Sequence, residues 1–299
     1  MYNRQLDTFI QVADAGSFSK AADELYISST AVIKQINLLE SSLNLQLFER
    51  SHRGLTLTEA GKSLYKDSKY IIQYSLESVD RAMNAMLGSD RAIRIGTSLM
   101  TPTQFLMELR PQLQQNYPDL KFRLVPFDNT PENAREILMN LGQNIDIVAG
   151  IFDNGFLKAR KCVALELSRE PICCAVSIHH KLASKSKLSV EDIYGENVMM
   201  IKRGWNSYID LLRDDFWQNH SSINVVDFSF YSVNIFNECE NSNNVLLVIK
   251  RWTNIHPLIK ILPVEWSHTV PFGLLHSPSP SDQVQSFIDS VAQGYDYKK

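Results

Sequence analysis

No stretch of this 299-residue chain approaches the run of about 18 apolar residues that a membrane-spanning helix needs. That excludes a helical membrane protein. The opening residues, Met1-Tyr-Asn-Arg-Gln-Leu-Asp, are polar and acidic where a signal peptide carries its apolar stretch, so a cytoplasmic protein is expected. Cysteine is scarce. The four present, Cys162, Cys173, Cys174 and Cys239, match no zinc-ligand spacing, and adjacent Cys173 and Cys174 would point to opposite faces of a strand. They read as small core hydrophobes in a reducing compartment, with a redox switch as the alternative. Charge of one sign is also lacking: 30 Lys and Arg against 33 Asp and Glu leave a net −3. Met1 to Leu87 carries nine Lys and Arg against ten Asp and Glu, so any basic patch there is local. The sequence holds no G-x-S-x-G, no P-loop and no G-x-G-x-x-G, and His179-His180 has no second cluster at ligand spacing. Neither catalysis nor a metal or cofactor is expected.

What is present is a helical module followed by an α/β one. Leu6, Phe9, Ile10 and Ala13 recur at helical spacing and predict a helix over about Arg4 to Ala15, stopped at Gly16. Ser17 or Ser19 caps a second helix whose buried face holds Ala21, Ala22 and Leu25. Ser28 caps a third, in which Val32, Ile36, Leu39 and Leu43 form one core-facing stripe. Thr30, Lys34, Asn37 and Ser41 then face away, with Ser29 and Ile33 on the flank. Hydroxyl, amide and ammonium groups there can donate to phosphates and base edges, or be a plain solvated face. Leu55 and Leu57 alternate around a Gly54 turn and predict a two-stranded wing with Arg50 and Arg53 near its tip, where both can grip phosphates. Thr58 caps a helix from about Glu59 to Leu87. Its Tyr65, Ile72, Val79 and Met86 lie at heptad spacing, joined by Leu76 and Met83, which argues for pairing with a second copy, with packing on its own domain as the alternative.

Gly88-Ser-Asp-Arg reads as a hinge. Beyond it, strands at Ala92 to Thr97, Leu120 to Phe127 and Ile145 to Ile151 alternate with helices at Thr101 to Tyr117 and Pro131 to Leu141. Further strands are expected at Ile172 to Ser177, Val198 to Ile201, Val225 to Phe230, Val245 to Ile249 and Phe272 to Leu275, with helices at Ser207 to Asn219 and Ser281 to Ala292. The alternation predicts a mostly parallel sheet with a ligand cleft between two lobes. Candidate cleft residues are Thr97, Ser98, Met100 and Thr101 at the first strand–helix junction, where amides and hydroxyls can hold a carboxylate. Gly150 and Phe152 after the third strand, and Lys202, Arg203 and Trp205 from the second lobe, complete the set. Capping, surface exposure or core packing is the alternative for each. An anionic organic ligand is expected.

In order and spacing, G-S-F-S-K-A-A-D-E-L (Gly16 to Leu25), A-V-I-K-Q-I (Ala31 to Ile36), Leu39-Glu40, L-F-E-R (Leu47 to Arg50) and L-T-E-A-G (Leu57 to Gly61) resemble the LysR-type transcriptional regulators. H-K-L-A (His180 to Ala183) and L-S-V-E-D-I (Leu188 to Ile193) extend the resemblance more loosely. Ser29, Thr30, Ile33 and Asn44 depart from the usual residues of that family, and N-S-N-N-V-L-L-V from Asn241 replaces a Gly-rich turn. An isoleucine at position 33 suits a thymine methyl.

The resemblance implies an α/β protein with an N-terminal all-α winged helix-turn-helix (1–58), a linker and dimerisation helix (59–88) and a two-lobed periplasmic-binding-protein-like effector domain (89–299). Lobe I would take about 92–163 and 269–299, and lobe II about 164–268. It also implies double-stranded DNA and a small-molecule effector as partners, and a homodimer or homotetramer through the 59–87 helix. Two other readings stay open: an α/β ligand-binding or enzymatic domain with a vestigial helical appendage, and a DNA-binding protein whose second domain only assembles.

Overall fold

A computed structural model describes residues 2–51, 54–86, 92–101, 103 and 120–296. The chain divides into two compact units, Met1–Asp90 and Arg91–Lys299.

In the first unit, α1 (Gln5–Ala15), α2 (Phe18–Leu25) and α3 (Ser29–Leu43) enclose a core of Phe9, Val12, Ala21, Ala22, Val32, Ile36 and Leu39. Gly16 takes the left-handed conformation that ends α1, φ 63°, and Asn44 does the same for α3 at φ 52°. Asn is the non-glycine residue that tolerates that region best. Ser17 precedes α2 without a side-chain cap, whereas the Ser28 hydroxyl accepts the Ala31 amide at 3.2 Å. Leu43 was expected in the core stripe and is instead largely exposed, because the stripe drifts off the core at the last turn.

Strands β1 (Phe48–Ser51) and β2 (Gly54–Leu57) pair antiparallel, Phe48 opposite Leu57 and Arg50 opposite Leu55. The long α4 runs Glu59–Met86, and the Thr58 hydroxyl accepts the Gly61 amide at 3.0 Å. Its apolar stripe changes neighbours along its length. Tyr65 and Ile72 pack on the core of their own unit, whereas Leu76 and Met83 stay 52% and 53% exposed. Tyr70, Ile71 and Tyr74 are exposed beside them. Val79 is half-buried, and the Met86 side chain lies outside the description, as do the expected hinge at 88–91 and almost all of the helix expected from Thr101 to Tyr117.

The second unit is built on one sheet in the order β4-β3-β5-β11-β6-β9-β7-β8, with β10 added on β6. Its strands are β3 (Ala92–Thr97), β4 (Lys121–Pro126), β5 (Ile147–Ile151), β6 (Val163–Ser177), β7 (Asn197–Ile201), β8 (Asn224–Phe228), β9 (Val245–Ile249), β10 (Ile259–Pro263) and β11 (Thr269–His276). The helices are α5 (Pro131–Met139), α6 (Asn154–Arg160), α7 (Ser207–Asn219), α8 (Val233–Glu240) and α9 (Asp282–Asp296). The sheet is mixed, not mostly parallel. β3 pairs parallel with β4 and β5, and β7 with β8 and β9. Antiparallel pairs arise where the chain crosses between the halves: β6 carries it over, and β11 brings it back against β5 and β6.

The N-terminal half of β6 thus pairs with β11 and its C-terminal half, from Ile172, with β9 and β10, so one strand joins the two lobes. Gly273 permits the closest approach there, since a Cβ on it would stand 2.0 Å from the Leu165 carbonyl oxygen. All four cysteines are buried and free. Burial pushes the Cys173 thiol up to about 11 and that of Cys239 to about 12, which suits packing and disfavours the reactive thiolate.

Candidate DNA interface and effector site

In the helical unit, the face of α3 turned away from the core carries Thr30, Lys34 and Asn37 exposed, with Ser29 and Ile33 half-buried at its edge. Gln35, between them in sequence, turns inward and accepts from the Thr8 hydroxyl. The wing is anchored to α3 by one side chain. Glu40 Oε1 accepts the backbone amides of Leu47 at 2.6 Å and Phe48 at 3.1 Å, so the end of α3 fixes where β1 begins. Arg50 belongs to β1, and Arg53 lies outside the described residues. Sequence reasoning passed over Tyr26. It occupies the left-handed region, φ 55°, in the turn before α3, and the residue is 94% exposed.

The residues expected to line the cleft do not all meet. Ser98 and Thr101 satisfy one another: the Ser98 amide donates to Thr101 Oγ1 at 2.8 Å, and the two hydroxyls stand 2.9 Å apart. Thr97 accepts the Phe127 amide at 3.0 Å. Met100 is buried, and its carbonyl accepts the Trp252 indole N–H at 3.1 Å. Gly150 sits within β5 opposite Gly273, not beyond the strand end. Phe152 packs with Leu138, Leu141, Ile145, Val148 and Leu275, so it serves the core instead of walling a cleft. Arg203 is exposed and paired with Asp214, a neighbour on α7. Lys202 is exposed as well, its amide donating to the Phe228 carbonyl at 2.8 Å. Trp205 alone of this set lines the described cavity.

A chain of aromatic rings runs from α6 into the core of lobe II. Trp205 lies edge-on to Phe156 at 5.9 Å and to Tyr231 at 5.6 Å, and Tyr231 meets Trp252 at 4.7 Å. Tyr231 is buried, its hydroxyl donating to the Leu247 carbonyl at 2.8 Å, and burial pushes its phenol far above the ordinary value. Asn129 adds a bond to the Tyr231 carbonyl at 2.8 Å.

Asp153 ties the lobes together. Buried beyond β5, it accepts the Phe156 amide at 2.6 Å and caps α6, while its second oxygen accepts the Ser207 amide in the first turn of α7. One carboxylate thus serves the N-termini of two helices, where negative charge is favoured. Asp153→Ala is expected to cost about 1–2 kcal/mol, the loss of one cap and of the bond to the Ser207 amide, which faces solvent. A thermal melt checks this, and a loss below about 0.5 kcal/mol would show that water replaces the carboxylate. The same residues border a cavity of about 380 Å³ lined by Phe156 and Arg160 from α6, by Trp205 from the turn before α7 and by Tyr208 and Asp210 from its start. α6 was not expected from the sequence. Its signal was Asp153 before Asn154-Gly155, an N-cap residue at a chain turn.

A helical trio with a wing, and a separate α/β unit of two lobes on a shared strand, define a ligand-responsive DNA-binding protein. The family comparisons agree. Residues 3–62 match "Bacterial regulatory helix-turn-helix protein, lysR family", and residues 88–296 match "LysR substrate binding domain". The chain belongs to the LysR family of transcriptional regulators, and is a regulator, not an enzyme. It is 28% identical over 233 residues to the uncharacterized HTH-type transcriptional regulator YvbU of Bacillus subtilis, covering 77% of this chain and 75% of that one. It is 26% identical to the HTH-type transcriptional activator CmpR of Synechocystis, covering 74% and 70%. The crystal structure of CbnR, a LysR family transcriptional regulator, has the same fold, with a TM-score of 0.67 at 21% identity over 99% of both chains. No helix among the described residues is long and apolar enough to cross a membrane, and no group of three or more His, Cys, Asp or Glu among them is placed to hold a metal ion.

Proposed function

We propose that this regulator reads its operator with Ser29, Thr30, Ile33, Lys34 and Asn37 of α3, and holds the phosphate backbone with Arg50 and Arg53 of the wing. It acts in the cytoplasm as a homodimer or homotetramer through the 59–87 helix, and its second domain senses a small organic anion. The observation that carries this reading is the outward face of α3, with Thr30, Lys34 and Asn37 exposed while Val32, Ile36 and Leu39 fill the core behind them. Leu76 and Met83, exposed apolar side chains on α4, support pairing of that helix with a second copy. Two modules bound at once offset the near-neutral charge of one.

The test is a salt titration of binding to DNA from upstream of the protein's own gene, with random DNA as control. Preferential binding that weakens steeply with salt is expected. Lys34→Ala and Arg53→Ala are each expected to flatten the slope of log affinity against log salt by about one. Equal, feeble binding to both DNAs would overturn the assignment of α3 as the reading helix.

A further inference from the structure

The cavity between α6 and α7 is lined by a guanidinium that has no carboxylate in contact among the described residues. Arg160 is half-buried, and its guanidinium carbon stands 3.6 Å from the centre of the Phe156 ring. It donates a long hydrogen bond, 3.4 Å, to the Phe156 carbonyl. No carboxylate among the described residues is in ion-pair contact with it, and Arg135 nearby adds positive charge. Desolvation is the largest influence on Arg160 and holds its pKa below the ordinary guanidinium value, while Asp153 acts on it favourably but out of contact. A carboxylate answers such a group with two parallel hydrogen bonds.

A simple anion does not suit the remaining walls. The lining includes two carboxylates, Asp153 and Asp210, beside the one guanidinium; Arg203 acts on Asp210 only at longer range, so a ligand carrying only negative charge leaves Asp210 without a counter-ion in contact. Asp153 is saturated by the two helix amides it caps. Asp210 gives one oxygen to the Gly204 amide at 2.9 Å, and no cation among the described residues is in ion-pair contact with it. Phe156, Trp205 and Tyr208 add three rings to the lining, which favour an apolar body, the Arg169 guanidinium lying 4.9 Å from the centre of the Tyr208 ring. The volume, about 380 Å³, is at the small end of ligand sites.

We infer that this cavity binds an α-amino acid with an apolar side chain, its carboxylate on Arg160, its ammonium on Asp210 and its side chain against Phe156, Trp205 and Tyr208. The inference rests on the reading that the second domain senses a small molecule, and sharpens it: the anionic group belongs to a zwitterion. Asp153, which bonds both lobes, stands in the wall of the same cavity.

Calorimetric titration of the full chain with L-phenylalanine, 3-phenylpropanoate and 2-phenylethylamine tests it, since the last two each delete one charge. Phenylalanine is expected to bind at least about tenfold tighter than either. Arg160→Gln should weaken phenylalanine and 3-phenylpropanoate about tenfold and leave 2-phenylethylamine unchanged, and Asp210→Asn should do the converse. Absence of saturable binding by both phenylalanine and leucine overturns the site. So does a preference for 3-phenylpropanoate that Asp210→Asn leaves intact, although sensing of an organic anion would survive it. Binding with the expected variant pattern but without any change in operator affinity upholds the site and removes the sensing role.

Discussion

Asp146→Ala lowers the stability of the effector domain by about 3–5 kcal/mol, the cost of stranding a buried charge by removing its partner. Asp146 is buried just before β5, and Arg94 reaches it from the middle of β3. Oδ2 accepts the Arg94 amide at 2.8 Å and Nε at 3.0 Å, while Nη2 donates to Oδ1 at 2.5 Å. The guanidinium also bonds the carbonyls of Gln143 and Gly142, so it clamps the turn that feeds β5 as well as the strand beside it. Alanine leaves a partly desolvated guanidinium and a strand amide with no acceptor. The midpoint of thermal unfolding is expected to fall by roughly 10 °C. Replacing both partners, Arg94→Met with Asp146→Leu, should recover much of the loss, since two apolar groups carry no stranded charge. A single variant within about 1 kcal/mol of wild type would mean that solvent screens the pair.

That pair could not be read from the sequence. Arg94 and Asp146 are 52 residues apart, and nothing in A-I-R-I-G-T tells which acid the arginine will meet. The legible parts were those with a strong local period or cap. The spacing of Val32, Ile36 and Leu39 gave α3 with its Ser28 cap, and V-L-L-V-I gave β9 with the expected bounds. Strand β6 was half seen, as Ile172 to Ser177, because Glu166, Arg169, Glu170 and Pro171 interrupt the apolar signal of its N-terminal half. That half is a strand because β11 lies beside it, which is a tertiary cause. The parallel assignment failed for the same reason, since the return of the chain along β11 is long-range.

The candidate sites divide along the same line. Helical geometry was enough to show which side of α3 faces out. The cleft residues were assigned from position after a strand, and position says nothing of which hydroxyls bond each other or which aromatic fills the gap. Ser98 and Thr101 are mutually satisfied, Phe152 turned into the core, and Asp153, Phe156, Arg160 and Tyr208 stand around the cavity instead. The local sequence D-N-G-F carries a helix start, yet it does not reveal that its aspartate caps a second helix 54 residues away.

Gly61→Ala is the change in the helical unit with the largest expected effect on DNA binding. A Cβ at this position would stand 2.1 Å from the Leu47 carbonyl oxygen and 3.0 Å from Leu57 Cδ2. Leu47 is fully buried, and its carbonyl already accepts the Thr58 amide at 3.0 Å, so neither backbone can yield alone. Ordinary carbon contacts need about 3.5 Å, and the first turn of α4 must therefore retreat from β1 by about 1 Å or more. Overpacking of this kind costs about 1–3 kcal/mol, within what a folded domain can lose. The retreat moves both ends of the reading surface, because Leu47 and Phe48 are the residues that Glu40 binds to set the wing against α3. Operator affinity is expected to fall at least about tenfold, with far less change on random DNA, as phosphate contacts outlast a displaced reading face. Gly16→Ala supplies the contrast: its φ of 63° is strained for alanine, but nothing lies within 4 Å of the new methyl. It should cost about 1–2 kcal/mol of stability and leave the ratio of operator to random binding intact. Equal ratios in the two variants would show that the seat of α4 on Leu47 does not govern how the wing and α3 are held.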